Sequence, residues 1–331
     1  MSKNTRLELP QDRSLPFFSY GIFKPGELGF LQLKDVIDYV VYPCEVAGYL
    51  LDRDTLPIYV NSQKNGISGK GRERVSGALI YFCPEKREEA YEKISRFEPQ
   101  EHYEWKTVKL CNKSSDTNIL QGIDEEIEKG TIEVEEKFIT ENDAGEKVYS
   151  WDSSTDPYFS QGLPYIKKCI KMCKQISGKA SFMPIQSSEV QTLFHLQMFY
   201  MFLWVIIERY FTYRYGLTRK ATQPAFEDMS KDPAFIRALE EHLQREDTLF
   251  KASQPSNGPF ILNKDNPFGC LKYYKEARNN TVHRGKSSFD RDKDILEKSL
   301  YELSFIFSEV YDDAKRQSQT MACQFLREIC S

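Results

Sequence analysis

The hydrophobic positions in the first half of the chain fall into short runs separated by turn residues. Five runs are rich in β-branched or aromatic residues and bounded by Gly or Pro, which predicts strands. One segment, Pro84–Phe97, repeats its apolar residues at helical spacing and begins with Pro. Strands around a single helix predict an α+β domain, a mixed β-barrel with one main helix. The predicted strands are Phe17–Phe23, Val46–Leu51, Pro57–Val60, Val75–Phe82 and Lys106–Leu110.

Acidic residues of the first half are concentrated in one segment. Between Asp124 and Glu146 the chain has ten acidic residues and two lysines. Thr131–Thr140 alternates polar and apolar residues, and Asn142–Gly145 has the composition of a turn. The pattern predicts an acidic hairpin that ends in Lys147–Trp151, and such a charge run is typical of a solvated face.

In the second half the apolar positions recur at helical spacing. Glu189–Tyr215 is apolar on most sides and therefore needs neighbours all round, which predicts an all-α helical bundle. Residues 253–268 contain three prolines and predict a connection without regular structure. The predicted helices are Tyr165–Ile176, Glu189–Tyr215, Pro233–Asp247, Cys270–His283 and a long helix from Asp290 to Ala314 that continues towards Cys330.

Turn residues between the two halves predict two domains, at 1–152 and 165–331, with a linker at 153–164. The net charge of −4 hides a difference between the halves. Residues 1–159 carry 20 basic and 29 acidic side chains, whereas residues 160–331 carry 25 basic and 20 acidic ones. Different charges suggest different partners, and a polyanion is a candidate for the second half.

Cysteine usage and the N-terminal sequence indicate a cytoplasmic protein. The first residues contain no apolar stretch of the kind that signal peptides need, and no segment is apolar over the roughly 20 residues that span a bilayer. None of the eight cysteines has CxxC spacing, so we expect free thiols. Cys169 and Cys173 share a helix face but have no further ligand beside them. We therefore expect no metal, no cofactor and no membrane partner.

Short motifs in the first half occur in a distinctive order. Phe18–Phe23 contains a Tyr-Gly pair, and Val46–Leu50 and Val75–Tyr81 each contain a central glycine. The helix that follows ends just before Glu98, and Tyr103 leads into the next strand. This order resembles the γ-glutamylcyclotransferase-like family over roughly residues 16–152.

The resemblance implies a binding loop and a proton-transferring glutamate. In that family, backbone amides of a Tyr-Gly loop hold the substrate carboxylate, a role that falls here on Tyr20, Gly21, Ile22 and Phe23. A glutamate after the helix moves the proton as the γ-glutamyl amine closes to 5-oxoproline, and Glu98 is the matching position. A partly dry pocket would raise the pKa of such a carboxylate towards neutrality. The alternatives are an ordinary turn at Tyr20–Gly21 and an exposed glutamate.

Arg278, Asn279 and His283 lie near the end of a predicted helix in the second half. Asn279 and His283 are four residues apart and share a face, and the long Arg278 side chain can reach the same side. A histidine can take a proton from a 2′-hydroxyl or give one to a leaving 5′-oxygen, and an arginine can hold a phosphate. The alternative is an ordinary helix C-terminus with cations and a glycine.

The spacing of Arg278 and His283 is similar to the Arg-x(4–6)-His motif of HEPN domains. The resemblance covers roughly residues 165–315 and is closest to ApeA-like and related defence HEPN ribonucleases. It implies that Glu208, on the preceding apolar helix, orients His283 or Arg278, and that Arg284 and Lys286 contact the substrate. A pairing of Glu208 with other residues of its own helix face is the alternative.

The resemblances imply a metal-independent endoribonuclease, in a prokaryotic anti-phage or toxin effector, with a ligand-sensing or regulatory first domain. RNA, a homodimer through the helical domain and a small γ-glutamyl-like ligand are the implied partners. Two other functions stay open: a γ-glutamylamine cyclotransferase with a helical dimerisation domain, and a non-catalytic HEPN protein that binds nucleotide or RNA. Aromatic residues such as Tyr273 and Tyr274 are expected in the core, with base stacking as the alternative.

Overall fold

In the computed structural model of the protein, the described residues are 7–53, 56–61, 73–97, 102–111, 115–123, 138–141, 147–179, 185–216, 222–251, 256, 258–283 and 289–327. They form a mixed α+β structure that divides into two compact units. The first unit comprises Met1–Asp156, Thr212–Gly216 and Lys315–Ser331, and the second comprises Pro157–Phe211 and Leu217–Ala314. The C-terminal residues from Lys315, which the sequence pattern assigns to the helical half, thus belong to the first unit.

The first unit contains nine strands in its described part, and one α-helix lies wholly within it, α1 (Arg87–Ser95). Ala90, Tyr91 and Ile94 recur at helical spacing on α1, and all three are buried in the core of this unit. The strands are β1 (Phe17–Ser19), β2 (Ile37–Ala47), β3 (Tyr49–Arg53), β4 (Leu56–Val60), β5 (Arg74–Phe82), β6 (Tyr103–Lys109), β7 (Asp116–Gly122), β8 (Ile139–Glu141) and β9 (Lys147–Tyr149).

Seven of these strands form one mixed sheet in the order β6-β7-β1-β5-β9-β8, with β2 on the other edge of β5. The pairs β1–β7 and β5–β9 are parallel, and the remaining pairs are antiparallel. Val46 of β2 forms a bridge with Leu110, just after β6, and the Cys111 N–H donates to the Glu45 carbonyl over 2.9 Å. The path from β6 through β7, β1 and β5 to β2 therefore returns to its first strand at one end. Strands β3 and β4 pair separately.

Strands β2 and β7 carry weak sequence signals, and the hydrophobic pattern misses both except for the last residues of β2. β7 is buried almost throughout, yet it contains polar Thr117 and Asn118. Their side chains donate to the carbonyls of Pro16 (2.8 Å) and Asp12 (2.6 Å), which makes burial tolerable. The predicted strand Val46–Leu51 is divided at Gly48, whose φ of +146° ends β2 and begins β3.

The predicted acidic hairpin is described only at its closing end. Ile139 and Glu141 of β8 pair antiparallel with Tyr149 and Lys147 of β9. Residues 124–137 and 142–146, with most of the acidic side chains, lie outside the described residues.

Helices dominate the second unit. Their apolar residues are buried at intervals of three and four, and Tyr200, Trp204, Phe235 and Phe307 are among the largest fully buried side chains. The helices are α2 (Leu163–Lys179), α3 (Ile185–Tyr215), α4 (Thr222–Met229), α5 (Pro233–His242), α6 (Pro267–His283) and α7 (Phe289–Phe325). The last residues of α3 and α7 are those counted with the first unit.

This half is not entirely helical, so the all-α prediction is wrong in one detail. β10 (Asp247–Phe250) and β11 (Pro259–Leu262) form an antiparallel hairpin where the pattern predicted a helix end and an irregular connection. α5 accordingly ends at His242 and not at Asp247. Pro259 is tolerated because it is the first residue of its strand. Leu249 and Leu262 are buried, but one buried leucine in each strand is too weak a hydrophobic pattern to predict a strand.

Residues 153–164, predicted as a linker, are folded. Ser153–Thr155 forms a 3₁₀ turn, and Tyr158–Gly162 forms a π-helical turn that runs directly into α2. Phe159 and Gly162 are buried, which explains why this segment adopts regular structure. Across the described residues, no helix combines the length and the apolar character that crossing a membrane would require. The side chains of six cysteines are described, and all six are free thiols.

Candidate functional site

Helix α6 carries Arg278, Asn279 and His283, and the residues at its N-terminus explain why the helix begins at Pro267. Pro267 is its first residue, and the Asn266 side chain accepts the Gly269 N–H over 2.9 Å, as a helix cap does. Tyr273, Tyr274 and Ala277 form the buried face of the helix. Arg278 and Asn279 of the motif are half-exposed, and His283 is the last helical residue.

Arg278 of α6 is paired with Glu208 of α3. One guanidinium nitrogen, Nη2, lies 2.7 Å from Glu208 Oε1, and the guanidinium group lies 5.6 Å from the centre of the Trp204 ring. Trp204 and Glu208 are one turn apart on α3, so a single helix face supplies both contacts. Of the roles that the sequence left open for Glu208, orientation of Arg278 is the one this geometry supports.

The Arg278–Glu208 pair is only partly shielded from water. The side chain of Arg278 is 22% exposed and that of Glu208 is 47% exposed. Arg278 Nε is buried and finds no hydrogen-bond partner among the described residues. A half-exposed carboxylate holds the arginine by one nitrogen, so an incoming phosphate oxygen can compete for the same group.

Lys275, which the sequence motif does not include, lies one turn before Arg278. Burial lowers the pKa of Lys275, and the neighbouring charge of Arg278 lowers it further, while Glu208 and Glu276 act in the opposite direction. The same Glu208 carboxylate therefore acts on two cations of α6. Spacing of three residues from Arg278 is the sequence signal that could have identified Lys275.

The structure describes the side chain of Asn279, only the backbone of His283, and neither Arg284 nor Lys286. Asn279 donates through Nδ2 to Glu276 Oε2 over 3.3 Å, a contact within its own helix. The backbone of His283 ends α6, one turn after Asn279, and its side chain is not among the described groups. Arg284 and Lys286 lie outside the described residues. Arg278 and Glu208 are thus the pair that the fold brings together.

Tyr273 and Tyr274 belong to the core, so the base-stacking alternative is wrong. Both are fully buried. Their hydroxyls donate to Asp247 Oδ2 over 2.7 Å and to Glu302 Oε2 over 3.2 Å. Arg245 joins the same network through two nitrogens that contact Glu302 at 2.8 and 3.1 Å. This buried network fixes the inner face of α6 against α7 and β10.

A second candidate site is a cavity of about 70 Å³ in the first unit. Tyr20, Gly21, Ile22 and Phe23 line it, as the family resemblance predicted for a binding loop. The Tyr20 hydroxyl donates to the Leu120 carbonyl over 2.8 Å and so has a structural partner. The N–H groups of Gly21, Ile22 and Phe23 donate no hydrogen bond within the described part of the chain.

The walls of this cavity are apolar or uncharged. Described residues around it include Phe97, Tyr103 and Thr212, and none of the described lining residues is charged. Thr212 and Tyr213 come from the end of α3, about 190 residues after the loop, and no sequence pattern indicated that they line the cavity. Glu98 lies outside the described residues; Phe97, which precedes it, lines the cavity.

Two buried charged residues, Lys24 and Glu27, hold the chain just after the Tyr20–Phe23 loop that lines the cavity. Lys24 Nζ donates to the Trp151 carbonyl, and burial lowers the pKa of this lysine. Glu27 contacts Lys315 of α7 at 3.0 Å, and Lys315 also donates to Ser153 Oγ over 2.8 Å. These contacts, all within the first unit, fix the backbone that follows Tyr20–Phe23.

Comparisons of the chain with protein-family models, with curated proteins and with solved structures found no match. The assignment of both sites therefore rests on the residues and contacts described above.

Proposed function

We propose that the protein is a metal-independent endoribonuclease of the HEPN type, with a γ-glutamylcyclotransferase-like first domain that senses a ligand. The observation that carries the proposal is the Arg278–Glu208 contact of 2.7 Å on the helix that ends at His283. A positioned arginine and a histidine on one helix are the groups that phosphodiester transfer requires.

The proposed chemistry is internal transfer at phosphorus. The 2′-oxygen of the RNA attacks the adjacent phosphorus, and the bond from phosphorus to the 5′-oxygen breaks. His283 transfers the proton at one of the two oxygens, from the 2′-hydroxyl or to the leaving 5′-oxygen, and solvent water exchanges the proton at the other. Arg278 leaves Glu208 for a phosphate oxygen and offsets the negative charge that develops there. The products are a 2′,3′-cyclic phosphate and a 5′-hydroxyl.

A homodimer supplies the second Arg-His motif in this proposal. Support comes from a stripe of exposed apolar residues on α3: Phe194 (56% exposed), Met198 (64%) and Val205 (42%), with half-buried Met201 between them. Their spacing of four, three and four residues is that of a helix–helix seam. Glu208 follows Val205 after three residues, so the seam runs towards the candidate site.

An RNase assay with end-group analysis tests the proposal. Wild-type protein should release fragments with 2′,3′-cyclic phosphate ends, and His283→Ala or Arg278→Ala should lower the rate by at least about 100-fold. His195→Ala is the matched control, since His195 is an exposed histidine of α3 outside the site. Variants that keep their circular dichroism spectrum and still cut like wild type would refute the assignment. In a bacterial host, growth arrest by the wild type and its relief by His283→Ala would support an effector role.

A cyclotransferase is the second candidate, and the cavity beside Tyr20–Phe23 favours it. Under this alternative the helical unit serves for dimerisation, and Glu98 transfers the proton. Release of 5-oxoproline from γ-glutamyl amines, abolished by Glu98→Gln, is the expected result. RNA binding without cleavage, together with no release of 5-oxoproline, would leave a non-catalytic binding protein.

A further inference from the structure

A cluster outside both sites brings together one histidine and two carboxylates. Glu241 and His242 occupy the last turn of α5, and Glu309 lies on α7, all within the second unit. One ligand atom from each of the three side chains lies within 4.8 Å of the other two. His242 Nε2 and Glu309 Oε1 are 2.5 Å apart.

The cluster carries more negative charge than its own residues neutralise. His242 is the only basic member for two carboxylates, and no partner of the Glu241 side chain is present among the described residues. Arg237, one turn earlier on α5, pairs with Asp313 at 3.5 Å. Lys167 lies over the Phe305 ring, against which the His242 ring also packs.

The end of α5 adds to this negative potential. The helix ends at His242, and the carbonyl groups of its last turn carry the negative end of the helix dipole. Two carboxylates, an imidazole and a helix C-terminus thus converge on one point that favours a cation, and this end effect is independent of the side-chain cluster.

We propose that Glu241, His242 and Glu309 form a binding site for a first-row divalent metal ion such as zinc. Imidazole nitrogen and carboxylate oxygen are both ligands of Zn²⁺, and water would complete the coordination of an ion held by these three residues. Ca²⁺ and Mg²⁺ prefer oxygen-only sites, so the histidine disfavours them. The ion would join α5 to α7, away from the Arg278 helix face.

Binding requires two local changes that the structure permits. His242 Nε2 must carry no proton when the metal takes it, because metal ligands bind deprotonated. The two ligand atoms must also move apart, since 2.5 Å is a hydrogen-bond distance. Glu309 is 43% exposed and free to turn, whereas His242 is 18% exposed and held beside Phe305. A metal here would depart from the sequence-based expectation of no metal, which was argued from the cysteines; none of them belongs to this cluster.

Equilibrium dialysis of the full-length reduced protein against Zn²⁺ at pH 7.5 tests the site. Wild type, His242→Gln, Glu309→Gln and Glu240→Gln are compared for the number and affinity of bound ions. Glu240→Gln is the matched control because Glu240 is an exposed neighbour on the same turn of α5 and no member of the cluster. Circular dichroism checks that all four proteins fold.

The proposed site predicts that His242→Gln and Glu309→Gln each lose one ion, or bind it at least about tenfold more weakly. Glu240→Gln should match the wild type. Imidazole NMR signals of His242 should shift on zinc addition in the wild type and in Glu240→Gln. Equal zinc binding by all four proteins would place the metal elsewhere, on the cysteines for example, and would overturn the proposal. Failure of the wild type to take up zinc would overturn it as well.

Discussion

Two lysines of α6, Lys275 and Lys272, differ in their exposure to water. Lys275 is half-buried beside Arg278, and its lowered pKa reflects first that burial and then the charge of Arg278. Lys272, one turn earlier on the same helix, is exposed and lies over the Phe268 ring at 4.2 Å. A cation that is already partly dehydrated gains more from a phosphate partner than an exposed one does.

Lys275→Gln should therefore weaken RNA binding in a salt-dependent way. In a His283→Ala background, which separates binding from cleavage, the slope of log K against log salt should fall by about 0.7, the value for one contact to single-stranded RNA. Fluorescence anisotropy between 50 and 200 mM salt measures it. Lys272→Gln in the same background is the control and should keep the slope of the His283→Ala protein. Identical slopes for the two lysine variants would exclude a phosphate contact at Lys275.

Asp247 shows how the contacts of one half-buried carboxylate make the stability of the protein depend on pH. Burial raises the pKa of this carboxyl group, but hydrogen bonds from Tyr273 and from the Thr248 N–H, with the charge of Arg245, more than offset it, so the pKa is lowered from 3.8. Because the folded-state pKa is below the unfolded one, the ionised carboxylate stabilises the protein at pH values above about 4. The stabilisation is lost as the pH falls through the folded-state pKa.

Asp247→Asn should consequently lower the stability at pH 7 more than at pH 3. The ionised partner of Tyr273 and Arg245 is lost at neutral pH, whereas acid has already removed part of its contribution in the wild type. Urea unfolding of both proteins at the two pH values measures the difference. A gap between the two unfolding midpoints that is the same at pH 3 and pH 7 would contradict this role.

Gly216 ends helix α3 beside a residue that lines the cavity of the first unit. Gly216 follows the last residue of α3 with a φ of +67°, and its N–H donates to the Thr212 carbonyl over 3.0 Å. This is the left-handed cap that glycine favours. A Cβ at Gly216 would overlap the ring of Phe97, which lines the cavity. Gly258 also has a positive φ, +82°, but a Cβ there would meet nothing within 4 Å.

The two glycines separate backbone strain from steric overlap. Gly258→Ala should lower the free energy of unfolding by about 1 kcal/mol, the backbone cost alone. Gly216→Ala should lower it by about 2–4 kcal/mol, since the overlap with Phe97 adds to that cost. Thermal and urea unfolding measure both variants. Equal losses would mean that the Phe97 ring moves aside freely.

Elements of the first unit were predictable only where their burial follows their hydrophobicity. β5 and α1 were predicted because apolar residues fill their buried positions. β7 was missed because Thr117 and Asn118 are buried there with hydrogen bonds to backbone carbonyls, which a hydrophobic pattern does not register. The β10–β11 hairpin was missed for a related reason, as its strands are short and half of their residues are exposed.

For the whole molecule, the exposed stripe of α3 is the feature most relevant to assembly. Met198→Glu places a charge at its centre and should convert the proposed dimer into a monomer, because an unpaired charge in an apolar seam is strongly unfavourable. Sedimentation velocity at micromolar concentration measures the change, and RNase activity should fall with it.

Ile261→Glu is the control for this substitution. Ile261 is 52% exposed on β11, outside the stripe, and the variant should remain dimeric. A monomeric wild type, or a Met198→Glu variant that dimerises like it, would show that this stripe is not the dimer interface.

The sequence by itself determined the α+β character, the positions of most long helices and the placement of Arg278, Asn279 and His283 at a helix end. Those features depend on periodicity and capping, which act between residues a few positions apart. Tertiary structure alone decided that Glu208 meets Arg278, that Thr212 lines a cavity with Tyr20, and that His242 faces Glu309. These pairs are separated by about 65 to 190 residues, and only the packing of whole elements brings such side chains within contact distance.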